Sequence, residues 1–145
     1  MSEKTLELKI LTPDALIYES GEVSSVTLPT ESGEITVLPL HIPLISRLKT
    51  GQIKVVKGGE TLALAVSSGV LEVQKGSKVI ILAERSEMAH LIDIDRAEEA
   101  YRRAKEIKER IKDDEDIDDA KVSAAIEKEL NRIRVGTKWQ KGGRV

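Results

Sequence analysis

Few side chains in this sequence stand where chemistry would need them. There is no Cys, which excludes disulfides, thiolate nucleophiles and every Cys-based zinc or iron-sulfur site. Two histidines, His41 and His90, are too few for a His-based metal site. His41 lies in the proline-rich segment Leu38-Pro39-Leu40-His41-Ile42-Pro43-Leu44 and reads as an imidazole that stabilises a turn. Ser67-Ser68-Gly69 lacks the preceding glycine of a nucleophile elbow. Gly76-Ser77-Lys78 lacks the spaced first glycine of a phosphate loop and reads as a hairpin turn. The acidic run from Asp113 to Asp119 has neither the central glycine nor the terminal glutamate of an EF-hand loop, so it reads as a solvated link. No catalytic residue and no metal set are expected.

Two charged constellations survive. In Ile92-Asp93-Ile94-Asp95-Arg96-Ala97, Asp93 and Arg96 are three apart and Arg103 lies two turns further on, so all three share one helical face. Spacing alone makes them surface ion pairs, each worth well under about 1 kcal/mol. The second constellation is basic: Lys121, Lys128, Arg132, Arg134, Lys138, Lys141 and Arg144 face only Glu127 and Glu129. Such an end attracts an acidic partner, although a soluble exposed face would look the same.

The elements that must position these residues follow from how the composition is distributed. At 145 residues the chain suits one domain, or a small domain with an appendage. Residues 1 to 90 carry 9 basic and 11 acidic side chains, while 91 to 145 carry 14 of each. All four prolines and seven of the ten glycines lie before Ser77. Two architectures are therefore expected in series. The net charge of -2 gives no overall polyanion-binding signature, so nucleic-acid binding is not expected. The charged start MSEKTLELKI is no signal peptide, no run of about 18 apolar residues exists, and the lack of Cys fits an intracellular setting.

The first part reads as short strands. Leu6, Leu8 and Ile10 alternate with Glu7 and Lys9, and Thr12-Pro13-Asp14-Ala15 makes a turn. Strands are predicted near 22 to 29 and 33 to 38. Ile53 to Val56 and Thr61 to Val66 flank Lys57-Gly58-Gly59-Glu60, and Val70 to Gln74 and Val79 to Leu82 flank Lys75-Gly76-Ser77, both as tight hairpins. Such spacing predicts an antiparallel sandwich or barrel with an aliphatic core, because there is no Phe. After Glu84 the period changes to a helical one. Ile94, Ala97, Tyr101, Ala104 and Ile111 mark one helix, and Val122, Ile126, Leu130 and Ile133 a second, which Asp118 or Asp119 would cap. Alanines at 97, 100, 104, 120, 124 and 125 let the two approach as an antiparallel hairpin. The stripe is narrow, so the hairpin must lean on the sandwich, a nucleotide or a partner. The tail from Gly136 reads as frayed.

Taken together, these segments resemble the epsilon-subunit family of bacterial F-type ATP synthases over nearly the full length. The resemblance is carried by Ser32-Gly33-Glu34 leading into Leu38 to Leu44, by Ser68-Gly69-Val70-Leu71-Glu72-Val73, and by Ile92-Asp93 to Arg96-Ala97. Leu40 stands where that family has the glycine of L-P-G-H, and Ser68 replaces the first glycine of S-G-G. Leucine resists the positive φ available to glycine, so an altered loop backbone is expected.

The resemblance implies an α+β chain, all-β then all-α. A ten-strand antiparallel β-sandwich over 1–86 would dock on the gamma subunit and c-ring, a two-helix hairpin over 87–135 would regulate, and 136–145 would be a flexible basic tail. It implies a non-catalytic central-stalk subunit that couples proton-driven rotation to ATP synthesis, peripheral on the cytoplasmic face of the membrane and monomeric in isolation. The hairpin would leave the sandwich, extend and block ATP hydrolysis. No cofactor is required; ATP is the implied regulatory ligand of the folded hairpin, at Glu87, Asp93, Arg96, Ala97, Arg103, Lys128 and Arg132. Lys128 stands where the family's arginine is expected, keeping the charge but losing the planar fork. In the extended form Lys121, Lys128, Arg132 and Arg134 would meet an acidic segment of the beta subunits. The alternative class is a free-standing adaptor whose hairpin binds another coiled coil. A small nucleotide-dependent enzyme is opposed by the missing metal, nucleophile and phosphate-loop signals.

Overall fold

Alternation along the chain becomes layering. The structure, a computed structural model, describes residues 5–111 and 119–140. In strand β1 (Leu6–Leu11) Leu6, Leu8 and Ile10 are fully buried while Glu7 and Lys9 are exposed, as a period of two requires. The chain reverses at Thr12 to Ala15, where Thr12 N–H donates to the Ala15 carbonyl at 2.9 Å. Six further strands follow: β2 (Leu16–Thr30), β3 (Gly33–Val37), β4 (Leu44–Leu48), β5 (Gly51–Lys57), β6 (Glu60–Gln74) and β7 (Lys78–Met88).

Strands β1, β2, β5, β6 and β7 pair in a closed circuit, with β3 added to β2 and β4 set between β6 and the end of β2, where Leu48 lies opposite Thr30. Seven continuous strands stand where ten were expected because the long ones change neighbours. The first half of β2 lies on β1 and its second half on β5 and β3. Likewise β6 takes β5 along its first half and β4 along its second. A further correction concerns direction: β1 and β7 are parallel, Glu7 opposite Lys78 through Leu11 opposite Leu82, while the other pairs are antiparallel. The two strands are far apart in sequence, so no hairpin constrains their relative direction. β4 was missed altogether, being hidden behind Pro39 and Pro43.

The core between the layers is aliphatic. Leu28, Val37, Ile53, Val55, Leu71 and Ile81 join the β1 residues with no accessible surface. Gly58 and Gly59 take the positive φ, 57° and 81°, that the tight β5–β6 turn demands. Leu40 also has positive φ, 68°, so the loop keeps a conformation that leucine resists. Leu40 N–H donates to Ser77 Oγ at 2.8 Å, and His41 Nδ1 bonds the Ile42 carbonyl at 2.6 Å. His41 thus stabilises a turn.

A helical period does not begin where the sandwich ends. β7 runs through Glu87 to Met88 because its last residues pair with the first half of β6, Glu87 opposite Ala65 and Met88 opposite Leu64. The boundary expected at 86/87 therefore falls inside a strand, and Glu87 belongs to the sandwich. A single 3-10 turn, Ala89–Leu91, leads to helix α1 (Ile94–Arg110). Helix α2 (Asp119–Gln140) returns antiparallel. Lys108 Nζ near the end of α1 donates to Ser123 Oγ near the start of α2 at 3.0 Å, while Gly136 packs on Ile94 at the opposite ends. The acidic residues Asp113 to Asp116, and Asp118, lie outside the described residues.

The expected fraying at Gly136 is overturned: α2 continues to Gln140. Gly136 and Val135 are buried against a second apolar cluster made of Ala63 and Ala65 of β6 with Ala89, Ile92 and Ile94, and Trp139 packs on it. Alternation explains this cluster, since Leu64 and Val66 enter the main core while Ala63 and Ala65 face the hairpin. Residues 141–145, the rest of the expected tail, lie outside the described residues.

The two residues 68 and 69 make opposite predictions. Ser68 points outward and its Oγ donates to Glu84 at 2.6 Å. A Cβ at Gly69 would fall on the Leu82 carbonyl and 2.8 Å from Ala83 Cα, both backbone atoms of β7. Gly69→Ala is expected to destabilise the sandwich by about 1–3 kcal/mol, and Ser68→Ala to change it by no more than about 0.5 kcal/mol. Thermal unfolding followed by circular dichroism checks both; equal midpoints would show that the β6–β7 approach is not tight.

Candidate functional site

The hairpin touches the sandwich along the buried cluster but stands away from it further out, which leaves an open cleft of about 970 Å³. That is at the upper end of the range for sites that hold a small molecule. One wall is β6 and β7, from Ala65 to Ser68 and from Glu84 to Glu87; the other is α1 and α2. Of the candidate ligand residues, Glu87, Asp93, Arg96, Arg103, Lys128 and Arg132 line it. Ala97 does not: it has no accessible surface and serves as a small packing residue beneath α1.

Each side chain has its own local cause. Asp93 is the N-cap of α1, and its Oδ1 accepts from the Arg96 N–H at 3.1 Å. That replaces the surface ion pair expected from their spacing, and it satisfies one of the free amides at the helix start. Arg96 and Arg103 are exposed on the cleft side of α1, and neither guanidinium is paired with a carboxylate among the described residues.

Arg132 is placed differently. Its Nε donates to Glu87 Oε1 at 2.5 Å, and its NH1 to Glu129 Oε1 at 2.8 Å. Glu87 is on β7 and Glu129 is one turn back on α2, so the guanidinium ties helix to sandwich. Burial lowers the Arg132 pKa, but the hydrogen bonds and charges of Glu87 and Glu129 outweigh it and hold the group above its ordinary value. A raised pKa contributes stability that is present below the unfolded value. An arginine stays charged well past neutrality, so this contribution is constant across the physiological range. Lys128 Nζ lies 3.5 Å from Glu129 Oε2.

Glu129 was not singled out by sequence. Its spacing from Arg132 was visible, but its burial, with a side chain only 8% exposed, is a product of packing. Two more polar groups of the region were missed. Asn131 Nδ2 donates to the Gly51 carbonyl at 2.9 Å, and the buried Ser86 Oγ in the cleft wall has no hydrogen-bond partner among the described residues. Asparagine and serine are common enough in helices and strands that no sequence signal marked them.

The cleft carries equal numbers of basic and acidic side chains. An anion would be held by individual unpaired guanidinium forks rather than by a net field. The four residues named for an acidic partner divide: Lys121, Lys128 and Arg132 line the cleft, whereas Arg134 is exposed outside it. No described helix is long and apolar enough to cross a membrane, and no metal-holding cluster of side chains occurs among the described residues.

Comparison with known proteins matches both parts of the chain. Residues 5–89 match the family of the ATP synthase delta/epsilon chain beta-sandwich domain, and residues 91–136 that of the delta/epsilon chain long alpha-helix domain. The ATP synthase epsilon chain of Nitratidesulfovibrio vulgaris strain DP4 is 44% identical over 133 residues, covering 92% of this chain and 96% of the relative. That of Bacillus mycoides strain KBAB4 is 39% identical, covering 91% and 96%. Among solved structures, a chain of the Euglena gracilis mitochondrial ATP synthase OSCP/F1/c-ring assembly shares the fold, with a TM-score of 0.73 at 23% identity over 86% of this chain and 76% of that one. With its sandwich and its helical pair each matched by a family model, and with relatives covered over nearly their full length, the chain belongs to the ATP synthase delta/epsilon family as an epsilon-type subunit.

Proposed function

We propose that this subunit couples rotation of the stalk to ATP synthesis and restrains ATP hydrolysis through its helical hairpin, and that ATP bound in the cleft favours the folded, non-inhibitory hairpin. The observation that carries the nucleotide reading is the pair of guanidiniums, Arg96 and Arg103, that face a cleft of small-molecule size with no carboxylate partner among the described residues. A triphosphate bridges two arginines on α1 and the cations of α2, which no monovalent anion can do. Lys128 and Arg132 are held by Glu129, so the phosphates compete with a carboxylate for both. Affinity is modest for that reason.

The switch is supported by where the basic residues point. Lys121, Lys128 and Arg132 face the cleft while the hairpin is folded. They reach an acidic segment of the beta subunits only after the hairpin leaves, so Lys128 and Arg132 serve ATP in one state and beta in the other. Docking of the sandwich on the gamma subunit and c-ring is supported by apolar surface at Leu38, Leu40, Ile42 and Ile45, each more than half exposed. A contiguous apolar patch on a soluble domain marks a contact surface.

Calorimetric titration of the isolated chain with ATP is expected to give heat and a raised melting temperature. At about 100 times the dissociation constant, a ligand specific to the folded hairpin adds roughly 2.7 kcal/mol to it. Arg96→Ala and Arg103→Ala are each expected to lose about 1.5–3 kcal/mol of binding. Absence of heat and of any thermal shift at millimolar ATP would leave the arginines without a ligand. In the assembled enzyme, neutralising Lys121, Lys128, Arg132 and Arg134 together is expected to raise ATP hydrolysis. Unchanged hydrolysis with normal assembly rejects the contact with beta.

A further inference from the structure

The segment that seats α2 lies partly beyond the family's helix domain, whose match ends at residue 136. Trp139 Nε1–H donates to Gln52 Oε1 of β5 at 2.6 Å. Gln140 Nε2 donates to the carbonyls of Ala89 and Ile92, at 2.9 and 2.8 Å. Those carbonyls bracket the 3-10 turn through which the chain leaves the sandwich for α1. Gln140 therefore ties the last turn of the hairpin to its point of origin. Gly136 completes the arrangement, since a Cβ there would come within 3.0 Å of Ile94 Cγ1 and 3.2 Å of Ile92 Cγ2.

The contact is small but well placed. It covers the apolar face of Ala63 and Ala65, residues too short to reach out and grip a helix by themselves. It is also one to two turns from Arg132, and a helix transmits a shift at its end to the turn beside it. We infer that Gly136, Trp139 and Gln140 form a C-terminal latch that keeps α2 seated on the sandwich and thereby positions Lys128 and Arg132 in the cleft. This rests on the nucleotide reading for its consequence, though not for its existence. With the latch open, only the fraction of molecules still seated binds ATP at full strength.

Trp139 is the only tryptophan in the chain, so its emission reports the latch directly in the full-length protein. Gly136→Val inserts a branched side chain where none fits, and Gln140→Ala removes the two bonds to the turn; both keep the reporter. Each is expected to shift Trp139 emission to longer wavelength without moving the melting of the sandwich. If seating falls to about one tenth, the apparent dissociation constant for ATP rises about tenfold. By reciprocity, saturating ATP returns the emission of both variants toward that of the parent chain. Unshifted emission in both variants overturns the latch. Shifted emission with ATP affinity equal to that of the parent overturns its positioning role. Shifted emission with no ATP uptake by the parent chain supports the latch and overturns the nucleotide reading instead.

Discussion

The hairpin's attachment to the sandwich is the contact on which the rest of this molecule depends. Two antiparallel helices bury too little surface to be secure alone. Here their apolar support is a narrow patch centred on Ala63 and Ala65 of β6 with Ala89, met by Ile92, Ile94, Val135 and Gly136, and the remaining ties to the sandwich are polar. A larger apolar contact would make the hairpin a permanent part of the core. A smaller one would leave it without a defined position. The small residues on the strand and the glycine on the helix allow close approach while keeping the buried area modest.

The cleft follows from that narrowness. Because the helices rest on the sandwich at one end, their outer turns stand off it, and the space between fills with charged side chains. Arg132 bridges this space to Glu87 and shares Glu129 with Lys128. Such pairs are weak evidence for stability, since desolvation offsets much of the attraction. Their effect is one of alignment: they fix which face of α2 looks at β7. Arg96 and Arg103 of α1 have no such partners among the described residues, so the cleft is organised on one side and unsatisfied on the other.

Much of the fold was legible in order along the chain. Alternation of Leu6, Leu8 and Ile10 marked a strand with one buried face, Gly58-Gly59 marked a hairpin, and the change from a period of two to one of 3.6 marked two architectures. The departures from that pattern share a cause. The end of β7, all of β4 and the last turn of α2 run against the local signals, because each is stabilised by residues distant in sequence. Glu87 is held in a strand by Ala65, and Gly136 in a helix by Ile92 and Ile94. A glycine in isolation argues for fraying; a glycine against two isoleucines is what lets the helix continue.

The site divides in the same way. Sequence by itself determined the chemical inventory, with no thiol, an arginine-bearing first helix and a basic second one, because residue types and helical spacing are local properties. Only the tertiary structure decided which of these charges are engaged. It paired Arg132 with Glu87 across 45 positions, left Arg96 and Arg103 facing open space, buried Ala97, and turned Arg134 away from the cleft. Pairing and burial depend on how helices settle on a sheet, and that is set by shape complementarity between surfaces whose residues are scattered along the chain.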